Sequence, residues 1–186
     1  MKRLFLSIVV LLSCTALFSQ RLSLSMNMAD LAAFGTLNAD AGLSVARKVT
    51  LHVGGRYNPW SFHYGEHQSE LRNQQQFVYA GVRYWPWYVY SGWWMGARLQ
   101  WGNYSNGGIW RPALQEGRNL MGLGLSAGYT YMLNKHFNLD FGVGVWGGYM
   151  GDYTLYDSFS KLSYRTTGAR GFFYPDTVII ALQYVF

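Results

Sequence analysis

Large apolar residues recur at every second position through most of the chain. Val178, Ile180, Leu182, Tyr184 and Phe186 are a clean example, with Ile179, Ala181, Gln183 and Val185 between them. A period of two sends successive side chains to opposite faces, so this stretch predicts a strand with one continuously apolar face. Seven more strands precede it. The first, about ten residues long, sets Leu22, Leu24, Met26 and Met28 against Ser23, Ser25 and Asn27. Asp30 falls in its apolar phase and marks a bulge or the end of the apolar region. Phe34, Gly35 and Thr36 make a short turn. The apolar sets of the next strands begin with Leu37, Ala39 and Ala41, then with Val49, Leu51 and Val53, then with Val78, Ala80 and Val82. The fifth to seventh carry Trp93, Met95 and Ala97, then Met121, Leu123 and Leu125, then Leu139, Phe141 and Val143.

The connections between these strands alternate in length. Arg47 with Lys48, the aromatic run from Trp85 to Tyr90, and Asn134 to His136 are short turns. Between them fall three long polar segments, 61–74, 103–118 and 151–172, which read as loops. Eight strands of about 9 to 13 residues, with short and long connections on alternate sides, predict an antiparallel up-and-down transmembrane β-barrel. Its short turns and both termini are then periplasmic, and its long loops extracellular. The aromatics sort to strand ends in support. Trp85, Trp87, Tyr88, Tyr90 and Tyr131 form one girdle; Tyr57, Trp60, Trp101, Tyr104, Trp110, Tyr149 and Tyr153 form the other.

The two faces decide which side is out. From the second strand onward the apolar face carries no charge. The other face is built of Gly, Ser, Thr and Asn, with Asp40, His52, Arg56, Arg83, Arg98 and Asp140 among them. A water-facing sheet would be rich in Lys and Glu at its strand centres. We therefore place those six residues in a narrow interior as a structural charge network. Two acids against three arginines leave one arginine to be met by Asn, Gln, Tyr, a carbonyl or water. A proton or ion path is the functional rival, but eight strands are too few for a porin-like channel.

Composition agrees. Charged residues make up 13% and aromatics 18% of the 186 residues. No internal apolar run reaches the roughly 18 residues of a transmembrane helix. Lys2, Arg3 and the apolar stretch from Leu4 to Phe18 read as a cleavable export signal, residues 1–19, ahead of one domain at 20–186. Leu11, Leu12, Ser13 and Cys14 loosely match a lipoprotein box. The apolar run continues past Cys14, which argues against lipidation, and cleavage after Ser19 leaves no thiol. Basic residues are scattered, so no nucleic-acid footprint exists.

Catalytic constellations are thin. His63, Glu66, His67 and Ser69 could serve a lipid A deacylase or acyltransferase, and His63, Glu66 and His67 a metal, but they share a polar loop in no known motif. No catalytic residue, metal or cofactor is assigned. The run Gly54, Gly55, Arg56, Tyr57, Asn58, Pro59, Trp60, the later Val82 to Trp85, and the final aromatic strand resemble a Bacteroidota-type outer-membrane barrel family of unknown function, similar to OmpA- and OmpX-like small barrels. That resemblance implies the fold and the outer membrane, and some relatives are thought to accompany surface fimbriae. The expected function is a non-enzymatic, membrane-anchored structural or surface-binding module acting through its long loops in adhesion, a fimbrial accessory role or an envelope complex. Expected partners are outer-membrane lipid and lipopolysaccharide, the barrel-insertion machinery through Tyr184 and Phe186, and a fimbrial or envelope protein. The alternatives are a lipid-modifying enzyme, a narrow channel and a soluble periplasmic ligand-binding barrel.

Overall fold

The computed structural model describes residues 22–64, 69–107, 113–157 and 163–186. The expected signal, Cys14, Glu66, His67 and Trp110 lie outside them. One antiparallel sheet holds ten strands: β1 (Leu22–Asn27), β2 (Leu37–Ala46), β3 (Val49–Asn58), β4 (Ser61–Tyr64), β5 (Ser69–Tyr84), β6 (Gly92–Gly107), β7 (Ala113–Met132), β8 (Phe137–Asp157), β9 (Ser163–Thr167) and β10 (Arg170–Val185). Neighbours follow in the order β10-β1-β2-β3-β5-β6-β7-β8-β9, and β10 also pairs with β8, bending the sheet into a ring. The closed circuit takes in all of these strands except β4 and β9. β4 hydrogen-bonds to β5, and β9 to the part of β8 beyond its pairing with β10.

The first strand is shorter than its alternation predicts. It stops at Asn27, and a single helical turn, α1 (Met28–Ala32), replaces its upper half. Asn27 causes the break. Its side-chain oxygen accepts from the Ala29 N–H that α1 leaves open and from the Ile180 N–H of β10, while its amide donates to the Val178 carbonyl. The residue that reads as inward-facing and polar is thus a helix cap and a clamp on the β1–β10 seam. Asn27→Ala is expected to lower stability by about 1–2 kcal/mol, seen as a lower thermal midpoint by circular dichroism.

The three segments read as loops are largely paired strand. Ser61 to Tyr64 pair with Ser69 to Arg72, β6 and β7 stay paired, through a slip between Gly102 and Tyr104, out to Gly107 and Leu114, and Tyr153 to Tyr156 pair with β9. β10 begins at Arg170 instead of Val178. Strands of 20 and 21 residues result for β7 and β8. Backbone ladders need no apolar side chains. Where both faces are polar, alternation vanishes although pairing continues. The extensions of β4 to β9 raise a wall on one side of the ring, opposite the short β1, β2 and β3.

Burial is reversed relative to a water-soluble sheet. Leu24, Leu51, Val53, Val82, Leu99, Leu123, Leu125, Val143 and Val178 are exposed on the outside, each by more than 40%. Inside lie Ser23, Asp40, Thr50, His52, Arg56, Gln100, Thr130, Asn138, Asp140 and Gln183. The interior is layered. Trp85, Tyr90, Trp94, Ile179, Ala181 and Val185 pack together toward the short turns, and Phe77, Leu120, Trp146, Met150 and Tyr153 toward the hairpins. Trp85, Tyr90 and Tyr153 therefore point into the ring instead of standing in an outer girdle. Tyr90 reaches inward from a left-handed backbone, φ 63°. Trp94 lies over glycines: a methyl on Gly142 would come within 2.9 Å of its ring, so a larger residue there would displace the indole.

Candidate functional site

The charged layer lies between the two aromatic clusters and is built from inward positions of β2, β3, β5, β6, β8 and β10. Alternation fixes most of them: Asp40 faces in from β2, His52 and Arg56 from β3, Arg83 from β5, Arg98 from β6 and Asp140 from β8. All six meet within the ring or across its wall.

At the end nearer the short turns, His52 Nδ1 lies 2.8 Å from Asp40 and His52 Nε2 lies 2.7 Å from the Thr50 hydroxyl. The Trp85 indole donates to that hydroxyl oxygen at 3.0 Å. A neutral imidazole with its proton on Nδ1 satisfies the whole relay: it donates to Asp40 and accepts from Thr50. This is the order of a hydroxyl–imidazole–carboxylate triad. Thr50 is fully buried, however, and its oxygen is already engaged by Trp85.

Asp140 is the next hub. One carboxylate oxygen accepts from the Trp94 indole at 2.6 Å and the Thr130 hydroxyl at 2.9 Å. The other accepts from Arg83 at 2.6 Å. The Arg83 guanidinium also lies 4.2 Å above the centre of a Trp94 ring, so one indole meets the cation with its face and the anion with its edge.

Toward the hairpins the balance rests on a residue that alternation misses. Asp176 accepts from Arg56 at 2.9 Å and from Arg98. It supplies the third acid, so the arginine that two acids leave over is paired. Counting back from Val178 puts Asp176 on the outer face. The register of β10 against β8 slips between Pro175 and Thr177, and the extra residue turns inward. Proline in a strand was the available signal, since it marks an edge or a bulge.

Arg56 also donates to Gln100 at 3.3 Å. Arg98 lies 4.6 Å from the Tyr79 ring centre and Arg56 5.4 Å from that of Phe77. Arg56 Nε, Arg98 Nε and Gln100 Nε2 are buried without a protein acceptor among the described residues. A space of about 30 Å³ lined by Asp30, Asp40, Arg56, Tyr79, Arg83 and Arg98 is room for a water. α1 brings Asp30 to its rim.

The ion pairs of the layer are mutually engaged, and aromatic clusters pack on either side of it. Among the described residues no cluster of three His, Cys, Asp or Glu could hold a metal. His63 and Ser69 sit on β4 and β5, where the backbone pairs His63 with Glu70 and Tyr64 with Ser69. Beyond the ring, Tyr104 packs against the hairpin-side cluster, and burial pushes its phenol up to about 12. Arg170 covers Tyr153 at 4.0 Å.

A family model described as "Protein of unknown function (DUF3575)" matches residues 4–186. No curated protein and no solved structure matches the chain.

Proposed function

We propose that this chain, which belongs to the DUF3575 family, is an exported eight-stranded β-barrel of the outer membrane that works as a non-enzymatic anchored surface module. The observation that carries this reading is the reversal of burial. A closed circuit of strands turns a belt of Leu, Val, Met and Trp outward and holds ion pairs inside. In water such a belt would drive aggregation; in hydrocarbon it is the stable surface, and closing the ring leaves no unpaired strand edge in lipid. The short turns then face the periplasm and the wall of hairpins faces outward. That wall is the surface offered to a partner, and an envelope or fimbrial protein is the fitting kind. The interior plug supports an anchor in preference to a pore.

The test is migration in SDS gels of outer-membrane protein, boiled and unboiled, with carbonate extraction beside it. A closed barrel is expected to run faster unboiled and to stay in the carbonate pellet. Identical migration together with carbonate release would overturn the reading. Single cysteines at Asn73 and Asn106, on the hairpins, are expected to react with an impermeant maleimide on whole cells, and one at Lys48 is not.

A further inference from the structure

β10 closes the ring only through its lower half. It pairs with β1 from Ala181 to Val185, and the Asn27 side chain extends that cover to the Val178 carbonyl. Above this point, on the hairpin side, β10 stays bonded to β8 along one edge, while among the described residues no strand pairs with its other edge. Alternation says which groups that edge shows. The Val185 N–H donates to the His136 carbonyl beside β8, and the N–H groups of Phe186 and Ile180 donate to Leu22 and Asn27 on the β1 side. Below the slip at Asp176, odd-numbered residues therefore face β8. The extra residue inverts the phase. Above it the even-numbered residues face β8, and Gly171 and Phe173 turn their N–H and C=O groups to the open side. Pro175 falls in the same phase, so the residue without an N–H stands where that donor would have had no strand to meet. Gly171 and Phe173 are both exposed, Phe173 by 72%.

We propose that this edge of β10 is completed by an extended segment of a partner protein, added as one further strand beside Gly171 and Phe173. Alternating N–H and C=O groups along one line match a second peptide backbone, which offers the same groups at the same repeat. The outward face adds a side-chain preference. A Cβ at Gly171 would meet only the Gly148 carbonyl, at 3.7 Å, so the glycine leaves a gap beside the Phe173 ring. An apolar side chain of the added strand fits over that gap, against Phe173. A second copy of this chain does not fit. Two copies standing the same way up in one membrane are related by a two-fold along its normal, which sets like groups of the two edges against each other. The occupant is then a different protein of the envelope. This inference rests on the membrane reading and on the hairpin wall as the surface offered to a partner.

The photo-cross-linking residue benzoylphenylalanine would replace Gly171, Phe173 or, as a control in the apolar belt, Val143, one at a time, and whole cells would be irradiated. Cross-links from positions 171 and 173 are expected on one protein, in one segment, about two residues apart, as an added strand in register requires. Position 143 should give none of them. Phe173→Pro removes an N–H that β8 does not use. It should leave the fast-migrating unboiled form intact and lower the cross-link from position 171 about tenfold, the effect of one lost hydrogen bond with its partner group left unpaired. No cross-link, cross-links to scattered sites, to lipid alone or to a second copy of this chain each overturn the proposal. So does a cross-link from position 171 that is unchanged by Phe173→Pro. Boiled and unboiled migration of the same samples reads the barrel separately: absence of the fast form in the native protein rejects the membrane reading itself, whereas a closed barrel with scattered cross-links rejects only the added strand. If Phe173→Pro alone fails to close, Gly171→Pro with the probe at position 173 takes its place, with the same expected loss.

Discussion

Asp176→Ala is expected to cost about 3–5 kcal/mol, the penalty for leaving a buried ion without its partner. Two guanidiniums, Arg56 and Arg98, meet on this one carboxylate, and its side chain is 2% exposed. Without it, both cations stay inside the ring, and Arg56 keeps its hydrogen bond to Gln100. The measurement is the temperature at which the fast-migrating unboiled form disappears. Asp176→Ala should lower it strongly or abolish the form, and Asp176→Asn, which keeps an acceptor oxygen, should fall between. A triple change, Arg56→Met with Arg98→Met and Asp176→Leu, should recover much of the loss, because replacing a buried ion cluster by apolar groups of similar volume is often neutral. A midpoint for Asp176→Ala equal to that of the native protein would show that these ion pairs do not hold the ring.

The second large effect is expected at Asp140. Its carboxylate receives Arg83, Trp94 and Thr130 and is almost wholly buried. Asp140→Ala removes the acceptor of all three, leaves Arg83 unpaired and opens space beneath Trp94, for about 3–5 kcal/mol. Arg83→Met alone should cost a similar amount by stranding the anion. The double variant Arg83→Met with Asp140→Leu should cost less than the sum of the two single changes, a coupling read from the same melting gels. Additive losses would mean that the two residues act independently. A further signature separates packing from charge: Trp94 fluorescence should shift to the red in Asp140→Ala and much less in Arg83→Met, because only the first removes the acceptor from the indole N–H.

Both residues show where a strand pattern can be read and where it fails. Asp40, His52, Arg56, Arg83, Arg98 and Asp140 all sit in ladders without an offset between them and the apolar positions that set the phase, so alternation places them correctly inside. Asp176 lies at the slip in β10, and one extra residue reverses its face. Asn27 reads as one more inward polar residue, yet its side chain also caps a turn of helix, an option open to Asn and closed to most strand residues. The hairpins above the ring were invisible for another reason. Stretches such as Gln74, Gln75 and Gln76 carry polar groups on both faces, and only backbone pairing reveals them as strand. Trp85 and Tyr90 were misplaced because aromatics at strand ends suit a girdle and a plug equally well. The left-handed backbone at Tyr90, which helps turn it inward, has no signature in a residue that is neither Gly nor Asn.

The seam between β1 and β10 joins the first described strand to the last in chain order. β1 is 6 residues long and pairs with β10 through five of them, Ser23 to Asn27, whereas β7 and β8 run for 20 and 21. Until β10 is made, every other strand can zip to its sequence neighbour while two raw edges stay open, each able to recruit a stranger's strand. Closure is therefore the slowest contact to find, since it spans the greatest separation along the chain. A chain built this way stays exposed, until its two ends meet, to pairing with a neighbour's β1 before its own.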